Sequence, residues 1–238
     1  MISGRKSNVR KVSREQIIDF IDTFYIGENI VISIAGNFDQ KEILSLIEEE
    51  FGGIKPNNII IDELYDILRN KKMENHKVKY HKVVCKKEKD IEQLHINIAF
   101  NGISYLSEER FTLSVLNSIL GGSVNSRLFQ EIREDAGLTY SVYSYGSSYK
   151  EAGLFHIYAA MNPNQKDTVI KKINSIVEAL KKKGITMDEL SMTKEQIKTE
   201  LILGSEGARN RMNANGKSML NRDRLVSLNE LIDGIDKV

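Results

Sequence analysis

Residues 121–149 read GGSVNSRLFQEIREDAGLTYSVYSYGSSY. The order of helix stops and strand signals in this run decides the fold. Gly121-Gly122 ends the helical pattern before it and lets a neighbouring backbone approach closely. A short helix is expected from about Asn125 to Asp135, broken at Gly137. Thr139 to Tyr149 then reads as a strand. Gly153 to Met161 reads as a second, joined to the first through Lys150-Glu151 as a hairpin. With a period of two, Tyr143, Tyr145 and Tyr149 share one face while Tyr140 and Val142 share the other. The tyrosine face reads either as a stacking platform or as half-buried sheet aromatics.

Working upstream, His81 to Lys86 and Glu92 to Phe100 are predicted strands. Ser107 opens a predicted helix through Leu120, with Glu108 and Glu109 near its positive end. Nearer the N-terminus, Ser13 and Gln16 form a capping-box pattern ahead of Ile17, Ile18, Ile21 and Phe24 on one helical face. Asn29 to Ala35 (NIVISIA) is β-branched and almost wholly apolar, which predicts a strand buried on both faces. Asp39 with Glu42 caps a second helix over Ile43, Leu44, Ile47 and Phe51, ended by Gly52-Gly53 and followed by a Pro56-Asn57-Asn58 loop.

Downstream, Pro163 precedes a helix with Val169, Ile173, Ile176 and Leu180 on one stripe. Thr186 and Glu189 cap a long helix toward Asn221, where Gly204, Gly207 and Gly216 invite a break. Ser227 with Glu230 caps a last helix. Helices and mostly hairpin-linked strands in this order define an α+β fold, an antiparallel-rich sheet packed by helices.

Composition narrows the function. The 238 residues carry a formal charge of +1 and are 41% hydrophobic, enough for a real core. Near-zero net charge argues against a purely electrostatic nucleic-acid binder. The single Cys85 excludes an internal disulfide framework and any zinc site of several cysteines. No apolar run is long enough for a membrane span and no apolar leader is visible, so the cytoplasm is the default compartment. The first fourteen residues carry five Lys or Arg and no acid, but they open straight into a good helix rather than a transit segment. Residues 39–66 are acidic, and residues 69–89 swing basic with nine Lys or Arg against Glu74 and Glu88. Such a swing without periodicity reads as a basic linker, taken as 69–82.

Candidate chemistry is sparse. His76, His81, His95 and His156 include no pair at i, i+4, so neither HExxH nor HxxEH occurs. There is no GxSxG, GxxxxGKS/T or GxGxxG. Arg133, near the end of the short helix, and Tyr140, opening the next strand, are the notable pair. Side by side they would offer five N–H donors and one O–H to carbonyl oxygens or a carboxylate. The alternative is that Arg133 pairs with a nearby acid and Tyr140 packs in the sheet.

Gly121-Gly122, Ser126-Arg127-Leu128-Phe129, Glu131-Ile132-Arg133 and Gly137-Leu138-Thr139-Tyr140-Ser141-Val142 together resemble the second-domain signature of the insulinase/pitrilysin-like zinc metallopeptidases, the inverzincins, in their bacterial processing-peptidase-like branch. Glu92 to Ile96 resembles the first strand of that second domain. Ser13 to Asp39, ending Ala35-Gly36-Asn37-Phe38-Asp39, resembles the close of its first domain. The resemblance covers nearly the whole chain. It implies residues 1–68 as the remnant of a first peptidase-like domain, 69–82 as linker, and 83–238 as the second, non-zinc domain lacking its last helix and strand.

In such enzymes the first domain holds zinc on HxxEH plus a distal Glu, and the second domain's Arg and Tyr help hold the substrate. That pair maps here onto Arg133 and Tyr140, with Gly121 and Gly122 in the family's glycine loop. The helix matching the zinc helix reads SEERFTLSVLNSIL, without ligands. The resemblance therefore implies a peptidase fragment that binds a peptide or unfolded polypeptide, with no cofactor of its own and zinc in the full-length family. It would be inactive alone unless complemented by a separately encoded HxxEH half. A non-catalytic subunit of a two-chain peptidase is the alternative. A single-strand nucleic-acid-binding module is a remote third.

Overall fold

The computed structural model describes residues 4–54 and 78–238. The Pro56-Asn57-Asn58 loop, His76 and most of the 69–82 linker lie outside the described residues. By contacts the chain divides into two compact units. One comprises residues 1–77 with 212–220, the other residues 78–211 with 221–238.

In the first unit the helix Arg14–Phe24 starts at a complete capping box: Gln16 N–H donates to Ser13 Oγ, and Ser13 N–H donates to Gln16 Oε1. The helix Gln40–Phe51 starts at Asp39, whose Oδ1 accepts from the N–H groups of Lys41 and Glu42, both at 2.9 Å. Each satisfies N–H groups that the helix itself cannot. The apolar faces these caps set up are nonetheless exposed. Neither helix buries a residue, and Ile26 alone is a buried hydrophobic among the unit's described residues.

The expected strand at NIVISIA is corrected here. Asn29 ends a 3-10 turn, and residues 30–35 form no ladder and leave Val31, Ile32 and Ile34 about two-fifths exposed. A β-branched run is stable as a strand only when another strand takes up its N–H and C=O groups, and none among the described residues does. His81 to Lys86 likewise forms no strand and is exposed.

The second unit is built on the hairpin. Strands β1 (Leu94–Asn101), β2 (Ser141–Ser148) and β3 (Gly153–Met161) form an antiparallel sheet in the order β1-β3-β2. The hairpin strands pair with Tyr143 opposite Tyr158. On the other side β3 pairs with β1, Ile98 opposite Ile157. One face carries Val142, Phe155, Ile157, Ala159 and Met161 into a core completed by Leu120, Leu128, Ile132, Val169, Ile173 and Ile176. The stripe on the Lys166–Lys183 helix is thus the expected one, and Gly184 at φ +69° ends it.

A second cluster joins Val115, Ile119, Ile197 and Ile235, tying the Arg110–Asn117, Met187–Glu206 and Leu228–Asp236 helices together. The long helix breaks at Gly207, which is extended, and resumes at Ala208–Arg222. No helix among the described residues is long and apolar enough to cross a membrane.

Two segments tighten this packing. Arg110–Asn117 runs on as a π-helical turn, Ser118–Gly122, and Phe129–Glu134 is a second π-helical turn. The first turn buries Gly121 against β2. A Cβ there would stand 2.6 Å from the Ser144 amide nitrogen and 2.9 Å from Leu128 Cδ1. Only glycine permits that approach. Ser144 Oγ completes the contact by donating to Asn117 Oδ1 at 2.8 Å.

Candidate functional site

Arg133 and Tyr140 flank a tight connection. Gly137 N–H donates to Arg133 C=O and Leu138 N–H to Ile132 C=O, closing the π-helical turn, with Gly137 at φ +59°. Tyr140 N–H then donates to Ala160 C=O at 2.9 Å, anchoring the chain to β3 one residue before β2 begins. Backbone on both sides is fixed while the side chains point outward. Tyr140 is 77% exposed. The Arg133 guanidinium lies 4.8 Å over the Phe129 ring, and its one ion pair, to Glu134, is a marginal 4.0 Å. Its N–H donors are therefore largely unspent.

Gly121 and Gly122 stand differently. Gly121 is buried under β2, and a Cβ on Gly122 would meet Asn117 Nδ2 at 2.6 Å. Their geometry has a packing cause. Arg127, in the same signature, makes a bidentate pair with Glu189, which pins the short helical turn to the Met187–Glu206 helix. That pairing holds the Glu189 carboxyl down at about 2. Sequence reasoning passed over this residue; the Ser126-Arg127-Leu128 run was its only signal.

Sequence reasoning also missed a cleft. Leu94 pairs with Met161 and Ser141 with Ala160, so the beginnings of β1 and β2 meet the end of β3 at one corner of the sheet. A cleft of about 440 Å³ opens there, lined by Gln93, Leu138, Thr139, Tyr140 and Asn162 among others. Thr139 is 8% exposed, and its Oγ1 has no hydrogen-bond partner among the described residues.

The open face of the sheet carries the tyrosines. Tyr143 packs on Tyr158 at 4.8 Å and Tyr145 stacks on His156 at 4.6 Å. His95 Nδ1 shares a 2.6 Å hydrogen bond with Tyr158 OH, and His156 Nδ1 a 3.1 Å one with Asn97 Oδ1. The described residues do not fit zinc. No three His, Cys, Asp or Glu side chains converge among the described residues, as a zinc site would require.

Comparison with known proteins agrees with this architecture. The family model described as the Peptidase M16 inactive domain matches residues 11–197, and the chain belongs to that family. An uncharacterized zinc protease of Bacillus subtilis, YmxG, is 33% identical over 237 residues, a match taking in all of this chain and 55% of the relative. One from Mycobacterium leprae, ML0855, is 29% identical, over all of this chain and 52% of the relative. The chain thus spans about half the length of the curated relatives it matches. A crystal structure of a protease from Helicobacter pylori shares the fold at a TM-score of 0.74, with 15% identity over 98% of this chain and 58% of that one. The peptidase M16 inactive domain from Pseudomonas fluorescens shares it at 0.51, over 62% of this chain and 38% of that one, at 23% identity.

Proposed function

We propose that this chain is the peptide-holding, metal-free part of an M16 zinc peptidase. Arg133 and Tyr140 donate hydrogen bonds to the carbonyl oxygens of an extended substrate, and hydrolysis depends on a zinc-bearing HxxEH half. The observation that carries the reading is the presentation of that pair. Both backbones are tied down, yet the guanidinium has few partners and the phenol faces solvent at the edge of a polar cleft. Fixed donors lose little freedom when a substrate arrives. In this reading residues 1–68 belong to a first peptidase-like domain and 83–238 to the second, with 69–82 between them.

Need for a partner is supported by the first unit. Its helices Arg14–Phe24 and Gln40–Phe51 bury nothing, while Ile17, Phe20, Leu44 and Phe51 are each about half exposed. Apolar faces of that size are characteristic of surfaces awaiting another chain. This favours complementation by an HxxEH half, or the subunit role in a two-chain peptidase.

The test is to mix the purified chain with the HxxEH-bearing protein of the same genome and to follow cleavage of an unfolded polypeptide. Cleavage that appears only in the mixture, and is lost in Arg133→Ala or Tyr140→Phe, supports the reading. Absence of cleavage from every such mixture sinks it.

A further inference from the structure

Three strand ends build the cleft beside Tyr140, and its lining sets uncharged amides beside a single carboxylate. Gln93 comes from the approach to β1, Thr139 from the approach to β2, and Asn162 and Gln165 from the exit of β3. Leu138 and the fully buried Met161 supply apolar wall. The side chains of Gln93 and Gln165 take no hydrogen bond within the described residues. Asn162 Oδ1 accepts from Asn164 N–H, leaving its amide nitrogen to spend. The sole charged residue lining the cleft is Glu92; no lysine or arginine does so.

Thr139 adds an independent observation. A buried hydroxyl without a partner is costly, and folded proteins seldom keep one unless a water or a ligand completes it. Here the orphan hydroxyl belongs to a residue of the cleft wall, next in sequence to Tyr140.

We propose that this cleft is a side-chain subsite for the bound peptide. It takes a residue whose end donates N–H hydrogen bonds, an amide or a cation, and it disfavours a carboxylate. The inference rests on Arg133 and Tyr140 holding the peptide backbone. The apolar wall takes the stem of the side chain, and its N–H groups reach the amide oxygens of Gln93 and Gln165 and the Glu92 carboxylate. A glutamate end would meet Glu92 with like charge and find no cation among the lining residues.

The experiment uses the intact chain and fluorescein-labelled Gly/Ser/Ala decapeptides with one central guest residue: Gln, Lys, Glu or Leu. Dissociation constants are read by fluorescence anisotropy. Gln and Lys guests bind roughly 3- to 10-fold tighter than Glu and Leu, the worth of one or two hydrogen bonds. Comparing Gln with Lys separates amide from cation recognition. Gln93→Leu lowers the Gln- and Lys-guest affinities toward that of the Leu guest, and circular dichroism confirms that the variant folds.

Thr139→Val also raises the melting temperature of the free chain, because it removes an unsatisfied hydroxyl at nearly constant volume. Equal binding of all four guests, with binding still lost in Arg133→Ala, overturns the subsite and spares the backbone-holding role. Binding of no peptide overturns both.

Discussion

The Arg127 guanidinium grips the Glu189 carboxylate with two parallel hydrogen bonds, Nε to Oε1 and Nη2 to Oε2, each 2.8 Å long. Glu189 Oε2 also accepts from Thr186 N–H, so one carboxylate caps its own helix and anchors a neighbouring turn. Arg127 comes first among the causes that hold Glu189 at about 2, below its ordinary 4.5. A carboxyl depressed on folding stabilises the fold above its unfolded pKa and loses that contribution as pH falls through the folded one. Thermal melts of wild type and Glu189→Gln should therefore differ most near neutral pH and converge between pH 5 and pH 2. With both side chains partly solvated, the neutral-pH difference should be about 1–2 kcal/mol. A gap that persists unchanged at pH 2 would refute the linkage.

Gly121 has no room for a side chain. The 2.6 Å approach to the Ser144 amide nitrogen involves backbone of β2, which is held in register along β3 and cannot yield cheaply. Gly121→Ala should cost about 1–3 kcal/mol or more by overpacking. Urea melts would register this as a lower midpoint at unchanged slope. Peptide affinity measured on the fraction that stays folded should be close to wild type if the glycine acts through packing.

Arg133→Ala and Tyr140→Phe should behave in the opposite way. Both side chains are exposed and make few contacts, so stability should move by less than about 0.5 kcal/mol. In the complemented cleavage assay each should reduce kcat/KM by roughly ten- to a hundredfold, the worth of one or two directed hydrogen bonds in a water-poor site. Equal activity of wild type and both variants would remove them from the substrate.

Burial separates two isoleucines. Ile157 in β3 is 0% exposed, and Ile17 on the Arg14–Phe24 helix is 51% exposed. Ile157→Ala should destabilise the chain by about 2–5 kcal/mol through lost transfer and a residual cavity. Ile17→Ala should leave the isolated chain's melt nearly unmoved, yet weaken association with an HxxEH half. Similar melting losses for both would contradict the exposed face.

Much of this architecture was legible because its signals are local. Ser13, Asp39, Thr186 and Ser227 each fall where a helix needs its first N–H groups satisfied, and all four caps form. The 3.6-residue stripe Val169-Ile173-Ile176 and the two-residue period of the hairpin likewise point one face to the core. Gly207, among three candidate glycines, is the one at which the long helix breaks. NIVISIA misled for the opposite reason: composition records a preference for pairing, and pairing requires another strand within reach. The site pair Arg133 and Tyr140 was visible from its motif, but its solvent exposure was not.

By itself, then, the sequence determined the four capped helix starts, the hairpin, the family, and the absence of an HxxEH motif from these 238 residues. Each follows from residue identities a few positions apart. The tertiary structure alone decided that β3 lies between β1 and β2, that Gly121 must pass under Ser144, and that Tyr140 stands beside a cleft. Those depend on the register that sets Leu94 against Met161 and Ser141 against Ala160. Residues far apart in the chain share a surface only once strand pairing and core burial have fixed that register.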